Sequence, residues 1–154
     1  MEEAQVSDIY NYRAVDALLS TSGQPTEDEL RAVAREGFEV VINLALHDDP
    51  RYSLRDETGL VQSLGIRYVH IPIQFAAPTE ADLDAFFAAM EQHRGRKILV
   101  HCAANKRVTA FLGLYRVIRQ GWREEDAFAL MHSVWQPDAV WSPFIAAMLE
   151  RPRG

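Results

Sequence analysis

The sequence predicts an α/β fold, with a central, mainly parallel sheet of about four to five strands flanked by helices. Three observations carry that expectation. Apolar runs of strand length alternate with helix-patterned segments as far as Cys102. "EVVINLAL" is a continuous apolar run rather than an alternating one, as expected for a strand covered on both faces. From Arg107 to Glu150 only helical patterning remains. Right-handed crossovers between parallel strands would put helices on both faces of the sheet.

The elements follow in order. "TEDELRAVAREGF" opens with Thr26 three residues before Glu29, a capping-box spacing, carries Leu30, Val33 and Ala34 on one face, and closes at Gly37. "EVVINLAL" reads as a buried strand. The acidic pair Asp48 and Asp49, just before Pro50, reads as a solvated turn. "LRDETGLVQSLG" is a short helix ending at Gly65, and "IRYVHIPI" the next strand. "TEADLDAFFAAMEQHRG" is a helix capped by Thr79, with Asp82 in its first turn and Gly95 at its end. "RKILVHC" is a further buried strand. The tail breaks near Gly121 and Pro137, and Trp135 and Trp141 within it are expected to pack its helices.

With 154 residues the chain is long enough for one self-sufficient domain, expected to span residues 1–154. A net charge of -6 argues against a general nucleic-acid binder, which needs a basic surface to displace counterions. "MEEAQVSDIYNYR" lacks the cationic and apolar regions of a secretory signal, and no run reaches the length of a membrane helix. The single cysteine cannot form an internal disulfide, which fits a reducing cytoplasm. His47, His70, His93, His101 and His132 show no metal-ligand spacing, so neither a metal nor another cofactor is expected.

The chemistry concentrates in "LVHCAANKRVTAF". Cys102 falls where a strand ends and a helix begins, the place where open parallel sheets gather their ligands. Unpaired N–H groups and the positive dipole end of the helix favour an anion there, and they favour the thiolate that makes cysteine a nucleophile. Arg107 adds a permanent charge and a planar fork of donors suited to phosphate or sulfate oxygens, and Lys106 adds a second charge. His101 reads equally as a support for the loop or as a histidine satisfied within the sheet.

"VHCAANKRVTA" resembles the His-Cys-x5-Arg-Ser/Thr signature of cysteine-dependent tyrosine and dual-specificity phosphatases. "STSGQPTEDELRAVAREGFEVVINL", "YVHIPIQFAAPTEADLDAFFAAM" and "PDAVWSPFI" are similar to small bacterial members of that group, so the resemblance runs from about Ile9 to Leu149. It implies a dual-specificity-phosphatase-like fold. It also implies that Cys102 is a nucleophile and that Ala103, Ala104, Asn105, Lys106, Arg107, Val108 and Thr109, with His101, surround a phosphorylated small molecule or phosphoprotein.

Two departures stand out. Arg107 follows Cys102 by five residues instead of six; an ungapped match puts Val108 at the arginine position, Thr109 at the Ser/Thr position, and Asn105 where these phosphatases usually carry glycine. The aspartate that would protonate the leaving oxygen is also missing from its usual loop, where Gln74, Phe75 and Ala76 stand instead. Asp82 is the candidate acid, although helix capping also explains it. The shorter spacing is similar to rhodanese-type sulfurtransferases, in which Cys102 would carry a persulfide taken from a sulfane-sulfur donor. It is similar too to a domain fused to metallo-β-lactamase-like hydrolases, which combines an "SGQP"-like opening with Cys-x4-Arg. An anion-binding pseudophosphatase is the non-enzymatic alternative.

Overall fold

A computed structural model describes residues 3–48 and 53–152; Asp49 and Pro50 of the predicted acidic turn lie outside the described residues. After a short 3-10 turn at Val6–Asp8 come β1 (Arg13–Asp16), β2 (Leu19–Ser22), α1 (Glu27–Arg35), β3 (Val40–Asn43), α2 (Glu57–Ser63), β4 (Arg67–His70), α3 (Glu80–Gln92) and β5 (Ile98–His101). The tail then supplies α4 (Lys106–Ile118), α5 (Glu124–Ala127), α6 (Ala129–Val134) and α7 (Trp141–Glu150). The five strands lie in the order β1-β2-β5-β3-β4, and only β1 runs antiparallel to its neighbour. The α/β class and the mainly parallel sheet are as the sequence predicts.

Alternation along the strands divides the core in two. Val40, Ile42, Ile98 and Val100 face one way and pack with α3, α4, α6 and α7. Val41 and Leu99 face the other way, against α1, α2 and the N-terminal turn. The predicted capping box of Thr26 with Glu29 forms, and Thr79, the predicted cap of α3, forms a second one with Asp82. α4 is buried without a break from Arg107 to Val117, and Gly113 lets the Phe128 ring lie directly on it.

The hairpin β1–β2 carries no apolar run, yet every residue of β2 is buried. Its polar side chains are satisfied internally, which removes the cost of burying them. Ser20 bonds the Tyr12 hydroxyl at 2.8 Å, Thr21 accepts from Asn105 at 2.9 Å, and Ser22 donates to the Gly23 carbonyl at 2.8 Å. β2 therefore pairs directly with β5, and its C-terminal end lies beside Cys102.

Candidate active site

β5 delivers Cys102 to the C-terminal edge of the sheet, flanked by the ends of β2 and β3. The thiol is 1% exposed. The chain then crosses Ala103, Ala104 and Asn105 and enters α4 at Lys106. Three successive carbonyls of this loop are held from outside it. The His101 ring Nδ1 faces the Cys102 carbonyl at 3.3 Å, the Gln24 amide donates to Ala103 at 3.0 Å, and Asn11 Nδ2 donates to Ala104 at 3.1 Å. In a trans peptide the N–H points opposite to the preceding C=O, so holding the Cys102 and Ala103 carbonyls outward turns the Ala103 and Ala104 amides the other way.

Asn105 closes the loop in a left-handed conformation, φ +66°, which Asn tolerates better than most residues. Its side chain is fully buried and donates to the Asn11 carbonyl and to Thr21 Oγ1, both at 2.9 Å. Asn105 thus serves as a brace between the loop and β2, a task that glycine could not perform. Val108 is wholly buried in the core, so the arginine that the loop presents is Arg107. The Arg107 guanidinium is itself 8% exposed, donates from Nη1 to the Ile73 carbonyl at 2.7 Å, and lies 5.8 Å from the Phe75 ring centre; its Nε–H is buried without an acceptor. Lys106 places its ammonium 5.7 Å from the Trp135 ring centre.

A residue that no sequence motif marks lies behind the loop. Glu57, the first residue of α2, is buried and accepts from His101 Nε2 at 2.7 Å and from Gln24 Nε2 at 2.7 Å. Burial opposes its ionisation, but the neighbouring His101 charge and hydrogen bonds from His101, Gln24 and Tyr68 outweigh it and hold the carboxyl at about 2. Both ring nitrogens of His101 thus face acceptors, and both bonds are made at once only when both nitrogens carry a proton. Next to this pair, Asn43, Tyr68 and His47 interlock at 2.9 to 3.1 Å, and His47 stacks on His70. Burial and the His70 charge lower the pKa of His47. Glutamate at a helix start reads as a capping residue, so nothing in the sequence singles out Glu57.

The family described as DSP-PTPase phosphatase fused to NAD+ kinase matches residues 2–139 of the sequence. The chain belongs to this family of dual-specificity and tyrosine-phosphatase-type domains. A candidate phosphatase (DUF442) from Shewanella putrefaciens CN-32 has the same fold at TM-score 0.82 and 32% identity, covering 93% of each chain. The structure of Tk-PTP in the active form superposes at TM-score 0.74 and 25% identity, covering 92% of this chain and 98% of that one. A β-lactamase hydrolase-like protein from Xylella fastidiosa is 31% identical over 121 residues, which are 77% of this chain and 28% of that protein. The chain thus spans little more than a quarter of that curated relative's length.

Against the phosphatase signature, two expected site residues are engaged elsewhere. Thr109 is buried, and its hydroxyl donates to the Asn105 carbonyl at 2.8 Å, with the Lys106 carbonyl at 3.1 Å; it ties the first turn of α4 to the loop. Asp82, the candidate acid, accepts the Thr79 amide at 3.0 Å as part of the α3 capping box. Its neighbours Glu80 and Asp84 both pair with Arg151, at 2.9 and 2.8 Å. All three carboxylates at the start of α3 therefore have structural partners. The residues Ile71 to Pro78 contain no carboxylate. Trp141 packs in the core as expected and donates its indole N–H to the Phe75 carbonyl at 2.7 Å.

Among the described residues no helix is long and apolar enough to cross a membrane.

Proposed function

We propose that this phosphatase-family domain hydrolyses phosphomonoesters through a cysteinyl-phosphate intermediate. The Cys102 thiolate attacks phosphorus while the ester P–O bond breaks and the leaving oxygen takes a proton from solvent. Water then attacks the phosphocysteine, the S–P bond breaks, and inorganic phosphate leaves with the thiolate restored. The N-terminus of α4, the Ala103 and Ala104 amides and the Arg107 guanidinium stabilise the charge that develops on the phosphoryl oxygens. His101 and Glu57 act behind the loop, as supports for the Cys102 carbonyl. A lone thiol of this kind is best kept reduced in the cytoplasm.

One observation carries the reading: the carbonyls of Cys102, Ala103 and Ala104 are all held by donors outside the loop, which frees the loop's inner face for an anion. The absence of a carboxylate between Ile71 and Pro78 supports phenol-like leaving groups, which depart without a proton donor.

The test is hydrolysis of p-nitrophenyl phosphate by the unmodified protein and by Cys102→Ser. Turnover that vanishes in the serine variant is the expected result; turnover that persists in it overturns the mechanism. A persulfide on Cys102 after thiosulfate treatment, with thiocyanate formed from cyanide, would put sulfur transfer in its place. A melting temperature raised by inorganic phosphate without turnover would make the domain a phosphate-binding module.

A further inference from the structure

Arg107 comes one residue early for the phosphatase signature, and in an α-helix one residue turns a side chain by about 100°. Val108, at the signature position, points into the core. The direction of the Arg107 guanidinium is therefore set by what it meets outside α4, and it meets the loop after β4 at two points. Nη1 donates to the Ile73 carbonyl at 2.7 Å, and Cζ lies 5.8 Å from the centre of the Phe75 ring. With Nη1 occupied, the edge formed by Nε and Nη2 is the one left for a ligand, and the Nε–H is buried without an acceptor among the described residues. A buried donor in that state is costly, and an anion in the Cys102 loop would supply its acceptor.

The two points of this grip are held by different parts of the molecule. Ile73 is wholly buried, and its amide donates to the Leu44 carbonyl at 3.1 Å, just past the end of β3. Phe75 is only partly buried, but its carbonyl accepts the Trp141 indole N–H at 2.7 Å. Its ring packs with those of Trp135 and Trp141, whose centres lie 5.7 and 5.8 Å away. Trp141 begins α7 and is itself wholly buried. The sheet thus fixes the carbonyl that Arg107 bonds, and the helical tail fixes the ring beside it.

We propose that Phe75, clamped by Trp141, is a positioning residue of the anion site: it sets the tilt of the Arg107 guanidinium so that the Nε edge faces a phosphoryl group in the Cys102 loop. The proposal takes its ligand from the phosphatase reading and gives the loop after β4 a task other than proton donation. A socket outside α4 aims an arginine that the short spacing from Cys102 would otherwise leave unaimed. Phe75 acts on the anion through Arg107, not by touching a leaving group.

The probe is inorganic phosphate, which has no leaving group, so a change in its binding cannot come from contact between Phe75 and one. Titration calorimetry gives its Kd for the unmodified protein, Phe75→Ala, Trp141→Phe, Arg107→Lys and the double variant Phe75→Ala, Arg107→Lys. Phe75→Ala should weaken phosphate by roughly 3- to 10-fold, the size of one contact between a cation and a ring. Trp141→Phe keeps a ring but loses the indole N–H, and should weaken phosphate by a smaller factor. Arg107→Lys keeps the charge without the planar fork, and in that background Phe75→Ala should change Kd by less than about 2-fold. A merely structural role would lower stability equally in both backgrounds and leave the Kd of the folded protein unchanged. Where Phe75→Ala does not fold, Phe75→Leu is read in the same way. Phosphate bound equally by Phe75→Ala and the unmodified protein, or weakened by the same factor in both backgrounds, overturns the socket; an unchanged Kd in Trp141→Phe overturns the clamp. If the constants follow the expected pattern but p-nitrophenyl phosphate is not turned over, the phosphatase reading falls and the socket stands. An unmodified protein that binds no phosphate overturns both.

Discussion

Two loops leave the same edge of the sheet and are built in opposite ways. The one after β5 carries Cys102, and each of its carbonyls up to Ala104 is tied by a donor from outside it. The one after β4, Ile71 to Pro78, is held by two side chains from the helical tail: Arg107 on the Ile73 carbonyl and Trp141 on the Phe75 carbonyl. The first loop presents amides, a thiol and a charge. The second presents Gln74, Phe75 and Ala76, none of which can give up a proton at neutral pH. In the proposed reaction, stabilisation of developing charge is therefore provided by rigid backbone, while proton donation to the leaving group has no dedicated residue.

The largest effect expected from this contrast concerns the leaving group. A positioned acid contributes about 10²–10⁴-fold, so its absence should separate substrates by at least that factor. We expect p-nitrophenyl phosphate to exceed an alkyl phosphate in kcat/KM by more than roughly 10³-fold, with rates across substituted phenyl phosphates rising steeply as the phenol becomes more acidic. A shallow dependence would reveal a donor reaching the leaving group from outside that loop. Introducing an aspartate by Gln74→Asp should flatten the series if the geometry of that loop is otherwise competent.

The next effect breaks the first loop. Asn105→Ala strains a left-handed position and leaves the Asn11 carbonyl and Thr21 hydroxyl unpaired in the interior, a loss of roughly 2–4 kcal/mol in chemical unfolding. Asn105→Gly relieves the backbone strain alone, so its loss should be smaller by about 1 kcal/mol. Equal losses would mean that the brace to β2, and not the backbone conformation, is what Asn supplies.

This difference also explains what the sequence could and could not reveal. The runs that end at Asn43 and His101 are legible because strands buried on both faces are usually apolar, β4 at the sheet edge is only partly buried yet keeps enough apolar residues to read as a strand, and the caps at Thr26 and Thr79 are legible because both partners lie within one turn. β2 escapes because its Ser20, Thr21 and Ser22 are satisfied by residues as distant as Asn105, a pairing that no local window contains. Cys102 and Arg107 stand out through their position between strand and helix. Glu57 does not, since its partner His101 is 44 residues away and only the fold brings the two together. Alignment to a longer loop puts Val108 and Thr109 in the site; helical phase instead turns Val108 into the core and hands the Thr109 hydroxyl to the backbone.

Glu57 offers a smaller effect with a definite sign. Its carboxyl is held at about 2, below the ordinary 4.5, so the folded state favours the ionised form. The stability this provides is fully present above about pH 4.5 and is lost as the pH falls through about 2; it is of the order of 3 kcal/mol. Urea unfolding measured from pH 7 down to pH 2 should therefore show a decline between those values. Glu57→Gln should be less stable at pH 7 and should lack much of that decline. An unchanged decline would mean that other carboxylates govern the acid limb.

The smallest effect returns to the second loop and its nearest acid. Asp82 is the residue that a phosphatase template would recruit, yet its carboxylate accepts the Thr79 amide and lies in the first turn of α3, where the helix dipole already favours it. Both features give the carboxylate a structural role at the start of α3. Asp82→Ala should cost roughly 0.5–1 kcal/mol, typical of losing part of a capping box, and should leave the ratio of aryl to alkyl phosphate turnover untouched. A steeper ratio in Asp82→Ala, with aryl turnover preserved, would identify Asp82 as a donor that leaves its cap when substrate binds. The same variant thus weighs the cap against the acid with one stability measurement and one ratio of rates.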